Sequence, residues 1–194
     1  MAHSSPTTTP QLNNLAPVTG RMINEENEIH NIVDNYGSLR VADVSSTAVH
    51  DGVAWVYTTS GSVLSGQTMY LLGRVGSIVA HLWEFYIRSD SAPMLIEFFE
   101  APTVTAPGTI QTNINRNRQI ESIGEMLIYT GATVSANGLK LFEGKILGSN
   151  QTVSGDDFKG EWLLKTNTDY IFKITNQSNQ TANMSAGFNW VEID

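Results

Sequence analysis

Two of the four histidines lie close to carboxylates: His50 in Val49-His-Asp-Gly52, beside Asp51, and His81 in Ala80-His-Leu-Trp83, ahead of Glu84. A metal site needs several such groups converging on one point, and neither stretch has the His-x-x-x-His spacing that presents two ligands together. Both are read as partly buried structural histidines held by backbone hydrogen bonds. Among the carboxylates, Glu97 with Glu100 and Asp156 with Asp157 are close in sequence. Acid–base catalysis needs two carboxyls across a cleft with separated pKa values, which neighbours on one strand or in one loop do not supply. There is no cysteine, no Gly-x-Ser-x-Gly, no phosphate-cradling glycine loop and no Asp-rich calcium loop. The expectation is a protein that is not an enzyme and that needs no metal or cofactor. The stretch Asn113-Ile-Asn-Arg-Asn-Arg118 concentrates two arginines in an otherwise acidic chain. Arginine forks anchor carboxylates across interfaces, so Asn113, Asn115, Arg116 and Arg118 are the candidate partner-binding residues. The alternative is an internal network in which the arginines bind Glu97 or Glu161.

The elements that must position these residues read as strands. In Glu161-Trp-Leu-Leu-Lys165-Thr-Asn-Thr-Asp-Tyr170-Ile-Phe-Lys-Ile-Thr-Asn176, two short runs flank a turn-prone tetrad, which predicts an antiparallel hairpin. Tyr170, Phe172 and Ile174 alternate with Ile171, Lys173 and Thr175, which puts the first three in a core and Lys173 and Thr175 at the solvent. The closing run places Met184, Ala186, Phe188 and Trp190 on one core face. Further strand candidates are Leu39–Val44, Val53–Thr59, Thr68–Arg74, Ile78–Ile87, Met94–Glu100, Gly108–Asn115, Glu121–Tyr129 and Gly138–Ile146, separated by Gly, Pro and Asn turn signals. These runs, about eleven strands in all, predict an all-β fold, best read as a jelly-roll-like antiparallel β-sandwich over residues 48–194 with the extra runs as edge or arm strands. Residues 1–20 are rich in Pro, Ser, Thr and Asn and read as a flexible arm. Residues 21–47 read as an extended or short-helical linker. There Asn24 is a possible cap, and Ile29, Ile32, Val33 and Tyr36 fall on one helical face.

A net charge of −8, with eleven Lys plus Arg, excludes a phosphate-backbone binder, which needs a basic face. No nucleic acid partner is expected. No signal peptide and no apolar run long enough for a spanning helix is visible, so no membrane partner is expected and the chain is read as made in the cytoplasm. The Asn-x-Ser/Thr triplets at Asn150, Asn176, Asn179 and Asn183 are accordingly read as turn chemistry rather than glycosylation sites.

The order of motifs resembles a family of tailed-phage virion proteins, the head decoration or cement proteins. It rests on Gly20-Arg-Met-Ile, Asn31-Ile-Val-Asp34, Val49-His-Asp-Gly52, Ala80-His-Leu82, Ile96-Glu-Phe-Phe-Glu100, Gly108-Thr109, Asn113 to Arg118, Gly138-Leu, Glu161 to Tyr170 and Trp190-Val-Glu192. Such proteins often end in Trp-Tyr-Glu-His, where this chain has Trp190-Val-Glu-Ile-Asp194. The resemblance implies a β-sandwich on the outer capsid surface of a virion, bridging major capsid protein subunits as a homo-oligomer, with a homotrimer suited to local three-fold positions. The alternative is a tail-tip, receptor-binding or carbohydrate-binding module, which would need exposed aromatics; Trp55, Trp83, Trp162 and Trp190 lie in alternating runs and are assigned to the core.

Overall fold

The computed structural model describes residues 21–24, 27–33, 39–42, 44–90, 92–147, 152–154 and 161–193. The expected arm over residues 1–20 lies outside them, as do Asn150, Asp156 and Asp157. The chain divides into two units, Met1–Thr47 and Ala48–Asp194. In the first, β1 (Arg21–Asn24), β2 (Asn27–Val33) and β3 (Leu39–Ala42) form an antiparallel sheet in the order β1-β2-β3. Within the span read as a possible helix, the described residues Asn27–Val33 form a strand instead: Ile29, Ile32 and Val33 are β-branched and Asn27 and Asn31 are poor helix formers, so strand pairing prevails. A short helix, α1 (Val44–His50), comes later. It ends at Gly52, whose φ of 74° sets the left-handed cap, with Gly52 N–H donating to Val49 O at 3.1 Å and Val53 N–H to Ala48 O at 3.1 Å.

The second unit contains β4 (Ala54–Val63), β5 (Thr68–Arg74), β6 (Val79–Ser89), β7 (Met94–Glu100), β8 (Thr103–Ala106), β9 (Thr109–Ile110), β10 (Ile114–Asn115), β11 (Leu127–Thr130), β12 (Thr133–Ala136), β13 (Leu139–Ile146), β14 (Thr152–Ser154), β15 (Trp162–Leu164), β16 (Asp169–Asn176) and β17 (Ala182–Ile193). One sheet runs β10-β4-β17-β6-β14, with β15 also on β6; the other runs β13-β7-β16-β5-β11-β9. Every pairing is antiparallel. The pairs nest: β7 with β13, β6 with β14 and β15, β5 with β16, β4 with β17. Successive nested pairs fall alternately in one sheet and the other, as in a long hairpin rolled up, so the unit is a jelly-roll-like antiparallel sandwich. β8 and β12 pair with each other as a two-stranded ribbon outside the hydrogen bonding of either sheet.

The facing sheets enclose the main core, where the Phe172 ring lies 4.3 Å from Phe98, 4.7 Å from Phe85 and 4.9 Å from Phe188. Tyr170, Phe172 and Ile174 point into it, as do Met184, Ala186, Phe188 and Trp190. A small apolar cavity of about 10 Å³ between Leu82, Phe98 and Phe172 has room for no more than one water. On the outer side of the second sheet, Leu72, Phe99 and Ile171 are covered by Val104 and Val134 of the ribbon and by Ala132. On the outer side of the first, Ala48 and Val49 of α1 cover Ala54, Val191 and Trp83.

The hairpin expected between residues 161 and 176 is not a pair of partners. β15 hydrogen-bonds to β6 in one sheet and β16 to β5 and β7 in the other. Thr166–Asp169 is a corner between sheets, with Asn167 in the left-handed region at φ 51° and Asn167 N–H donating to Gly76 O at 2.8 Å. It crosses beside the β5–β6 corner, and Arg74 fastens it to Asp169 through two 2.8 Å hydrogen bonds. Burial rewards moving a short apolar run to another sheet as much as pairing it with its neighbour, so turn chemistry alone does not choose between them.

Candidate functional site

The basic stretch is held by its asparagines. β10 pairs with the start of β4, Ile114 opposite Val56 and Asn115 opposite Trp55. Asn115 is 3% exposed, and its amide donates to Gly52 O at 2.7 Å and Ser122 Oγ at 3.2 Å while its Oδ1 accepts from Asn117 N–H at 2.8 Å. Asn117 in turn donates to His50 O at 3.0 Å and accepts from Gln119 N–H at 3.1 Å. Glycine is favoured at position 52 by its φ of 74°, a left-handed conformation that a side chain strains. Asn113 donates to Met126 O at 2.6 Å, and its Oδ1 is buried without a partner.

The far side of the loop is clamped by a residue that sequence reading did not single out as a site. Glu192, buried, accepts from Glu125 N–H at 2.9 Å, Met126 N–H at 2.8 Å and the Trp190 indole at 3.1 Å. The signal was there in the alternation: Glu192 follows Trp190 on the core face, and a carboxylate in that phase must find donors. Asn117 gave no such signal.

Of the four predicted residues, Asn113 and Asn115 therefore turn inward and shape the loop, while Arg116 and Arg118 are exposed. Neither arginine makes an ion pair with a described residue. The internal network considered as the alternative is replaced by others. Glu97 pairs with Lys140 at 2.5 Å and Lys173 at 2.8 Å, and Glu161 with His81 at 3.0 Å. Beside the arginines the same loop exposes Ile114 (45%), Ile120 (36%) and Ile123 (89%). The result is a braced backbone that exposes two arginines and three apolar side chains, with Glu121 and Glu125 exposed in the same loop, so the arginines are available to carboxylates of a partner beside apolar spots.

Of the other candidate groups, His50 and Asp51 are exposed at the end of α1, where the His50 carbonyl rather than its side chain accepts from Asn117, so His50 is not the partly buried histidine expected. His81 accepts at Nδ1 from the Trp83 indole at 3.0 Å and meets Glu161 through Nε2 at 3.0 Å, so its proton lies on Nε2 and side chains rather than backbone hold it. Glu84 accepts instead from Asn189 at 2.8 Å. Among the described residues no three His, Asp or Glu side chains converge as metal ligands. Burial pushes the Glu97 carboxyl up, but its hydrogen bonds and charge pairing with Lys140 and Lys173 outweigh this and hold it below the usual range. Lys173, expected at the solvent, is thus half-sheltered on the outer face of its sheet. Glu100 is held low chiefly by Lys165. Burial pushes Tyr170 up to about 12, its hydroxyl accepting from Lys165 N–H at 2.8 Å and donating to Glu100 at 3.1 Å. Asn176, the first residue of an Asn-x-Ser/Thr triplet, is fully buried turn chemistry: its amide donates to Val63 O and Gln180 O, and its Oδ1 accepts from Ser178 N–H and Oγ. Trp55 and Trp190 are buried and Trp162 packs against the core, edge-on to Phe98.

No family model matches the chain, and no curated protein does. Among solved structures it is similar to the Yersinia pseudotuberculosis-derived mitogen, at 14% identity and a TM-score of 0.34, over 72% of this chain and 86% of that one. A likeness of that size carries no argument here, and the jelly-roll assignment rests on the strand pairing.

Proposed function

We propose that this chain is a phage virion structural protein that binds the outer capsid surface and stabilises the head by bridging major capsid protein subunits. The observation that carries the reading is the pair Arg116 and Arg118, exposed and without a carboxylate among the described residues, on a loop that Asn115 and Glu192 brace from both sides. A rigid loop loses little entropy when its arginines meet an acidic surface, so more of the contact energy appears as affinity. The order of motifs shared with decoration proteins supports the same reading. A protein that binds only the assembled shell stabilises it by mass action, and several weak contacts from an oligomer add through effective concentration. The sugar-binding alternative has less behind it, because three of the four tryptophans are taken up by the main core.

The test is to mix the purified protein with separated heads and tails of the encoding phage, sediment each, and quantify the bound protein. Saturable binding to heads, weakened at least about tenfold by Arg116→Ala with Arg118→Ala, is expected. Binding to tails or host cells alone, or head binding that ignores both substitutions, refutes the proposal.

A further inference from the structure

The sheet edges of the sandwich are not equally protected. β9 and β10 are two residues long and β14 and β15 three. β13 is longer, but carries Lys140, Glu143 and Lys145 and a register shift between Lys140 and Phe142. These are the devices that keep an edge from pairing with another chain. β4 has none of them beyond its two-residue contact with β10. From Tyr57 to Val63 it reads Tyr-Thr-Thr-Ser-Gly-Ser-Val, without charge or proline, and its register with β17 runs unbroken from Ala54 to Val63.

The direction of its free backbone groups follows from two hydrogen bonds. Val53 O accepts from Glu192 N–H on the β17 side, and Ala54 O accepts from Arg116 N–H on the outer side. N–H and C=O groups alternate sides along a strand, so those of Thr58, Ser60 and Ser62 face outward, and among the described residues nothing bonds to them. All three side chains are exposed.

We infer that this edge is an interface with a second copy of the same chain, β4 pairing antiparallel with β4 of its partner about a two-fold axis at Ser60. The edge is self-complementary: Thr58 meets Ser62 of the partner and Ser60 meets Ser60, with no like charges opposed. The free lane fits one strand of its own kind, being closed by β10 at one end and by the turn after Val63 at the other. In that register the strand pairing ends with Val63 opposite Tyr57 of the partner, because the place beside Val56 is taken by Ile114, and Leu64, the first residue beyond the strand, abuts Ile114 of the partner end to end. Two exposed apolar side chains, Leu64 at 62% and Ile114 at 45%, are thereby covered. The inference stands independently of the capsid proposal, and its two-fold pair differs from the three-fold assembly that the resemblance implies.

Sedimentation equilibrium of the full chain decides it. The expected species is a dimer at twice the 21.2 kDa chain mass. Ser60→Lys, which places two ammonium groups at the axis on an exposed face, is expected to raise the dimer dissociation constant at least about tenfold. Ser60→Pro, which removes only an outward N–H, is expected to do the same. Circular dichroism and urea midpoints of both variants show whether the monomer remains folded. A wild-type monomer or trimer overturns the inference, as does a dimer that persists in a folded Ser60→Lys variant.

Discussion

Replacing Glu192 by Gln removes one charge and turns one acceptor into a donor, with almost no change of volume. Oε1 accepts from Met126 N–H and the Trp190 indole, and Oε2 accepts from Glu125 N–H. In the variant the amide oxygen can keep the first pair, but the new NH2 then faces the Glu125 N–H, which loses its acceptor. Hydrogen bonds to a charged group are worth roughly 1.5–3 kcal/mol each, and a buried donor left unmade costs roughly 1–3 kcal/mol. One bond lost and two weakened predict a destabilisation of about 2–4 kcal/mol, at the upper end if Gly124, which leaves only 2.9 Å between a built Cβ and Oε1, prevents the segment from relaxing. Urea unfolding measures the total. Amide hydrogen exchange at Glu125 and Met126 measures the local part, and protection there is expected to fall by more than at the β16–β17 core. If the variant unfolds within about 0.5 kcal/mol of the parent with unchanged exchange at both amides, the buried carboxylate does not brace the loop and the account of the site fails.

Two further outcomes follow from the same geometry. Asn176→Ala, at a fully buried position, removes the bonds its amide donates to Val63 O and Gln180 O and the acceptor of the Ser178 N–H, and is expected to lower the unfolding free energy by about 2–4 kcal/mol in urea titrations; a loss under about 0.5 kcal/mol would contradict the assignment. Because the folded pKa of Glu97 is depressed, its ion pairs contribute stability that is complete above the unfolded value of about 4.3 and is lost as pH falls through the lowered folded value. Urea midpoints of the parent should therefore decline more steeply with acid in that window than those of Glu97→Gln, and parallel curves would remove Glu97 as a source of acid sensitivity.

Period-two patterning made the inner faces of β16 and β17 legible, because alternation decides which side of a strand is buried whatever its partner is. Phe172, Phe188 and Trp190 could be assigned to the core from their phase alone. Asn176 was also legible, since an Asn followed two residues later by Ser forms a turn from local bonds. The partners were not. Backbone hydrogen bonds are chemically alike from strand to strand, so the sequence around Thr166–Asp169 announces a turn without saying that it leads into the opposite sheet, and only the nested pairing decides this. The basic stretch shows the same division. Residue types located a cluster at Asn113, Asn115, Arg116 and Arg118, because asparagine and arginine carry their chemistry wherever they stand. That the asparagines face inward to Gly52 O and Met126 O while the arginines face water depends on where β4, α1 and the end of β17 meet, contacts between residues far apart in the chain, which no local pattern encodes.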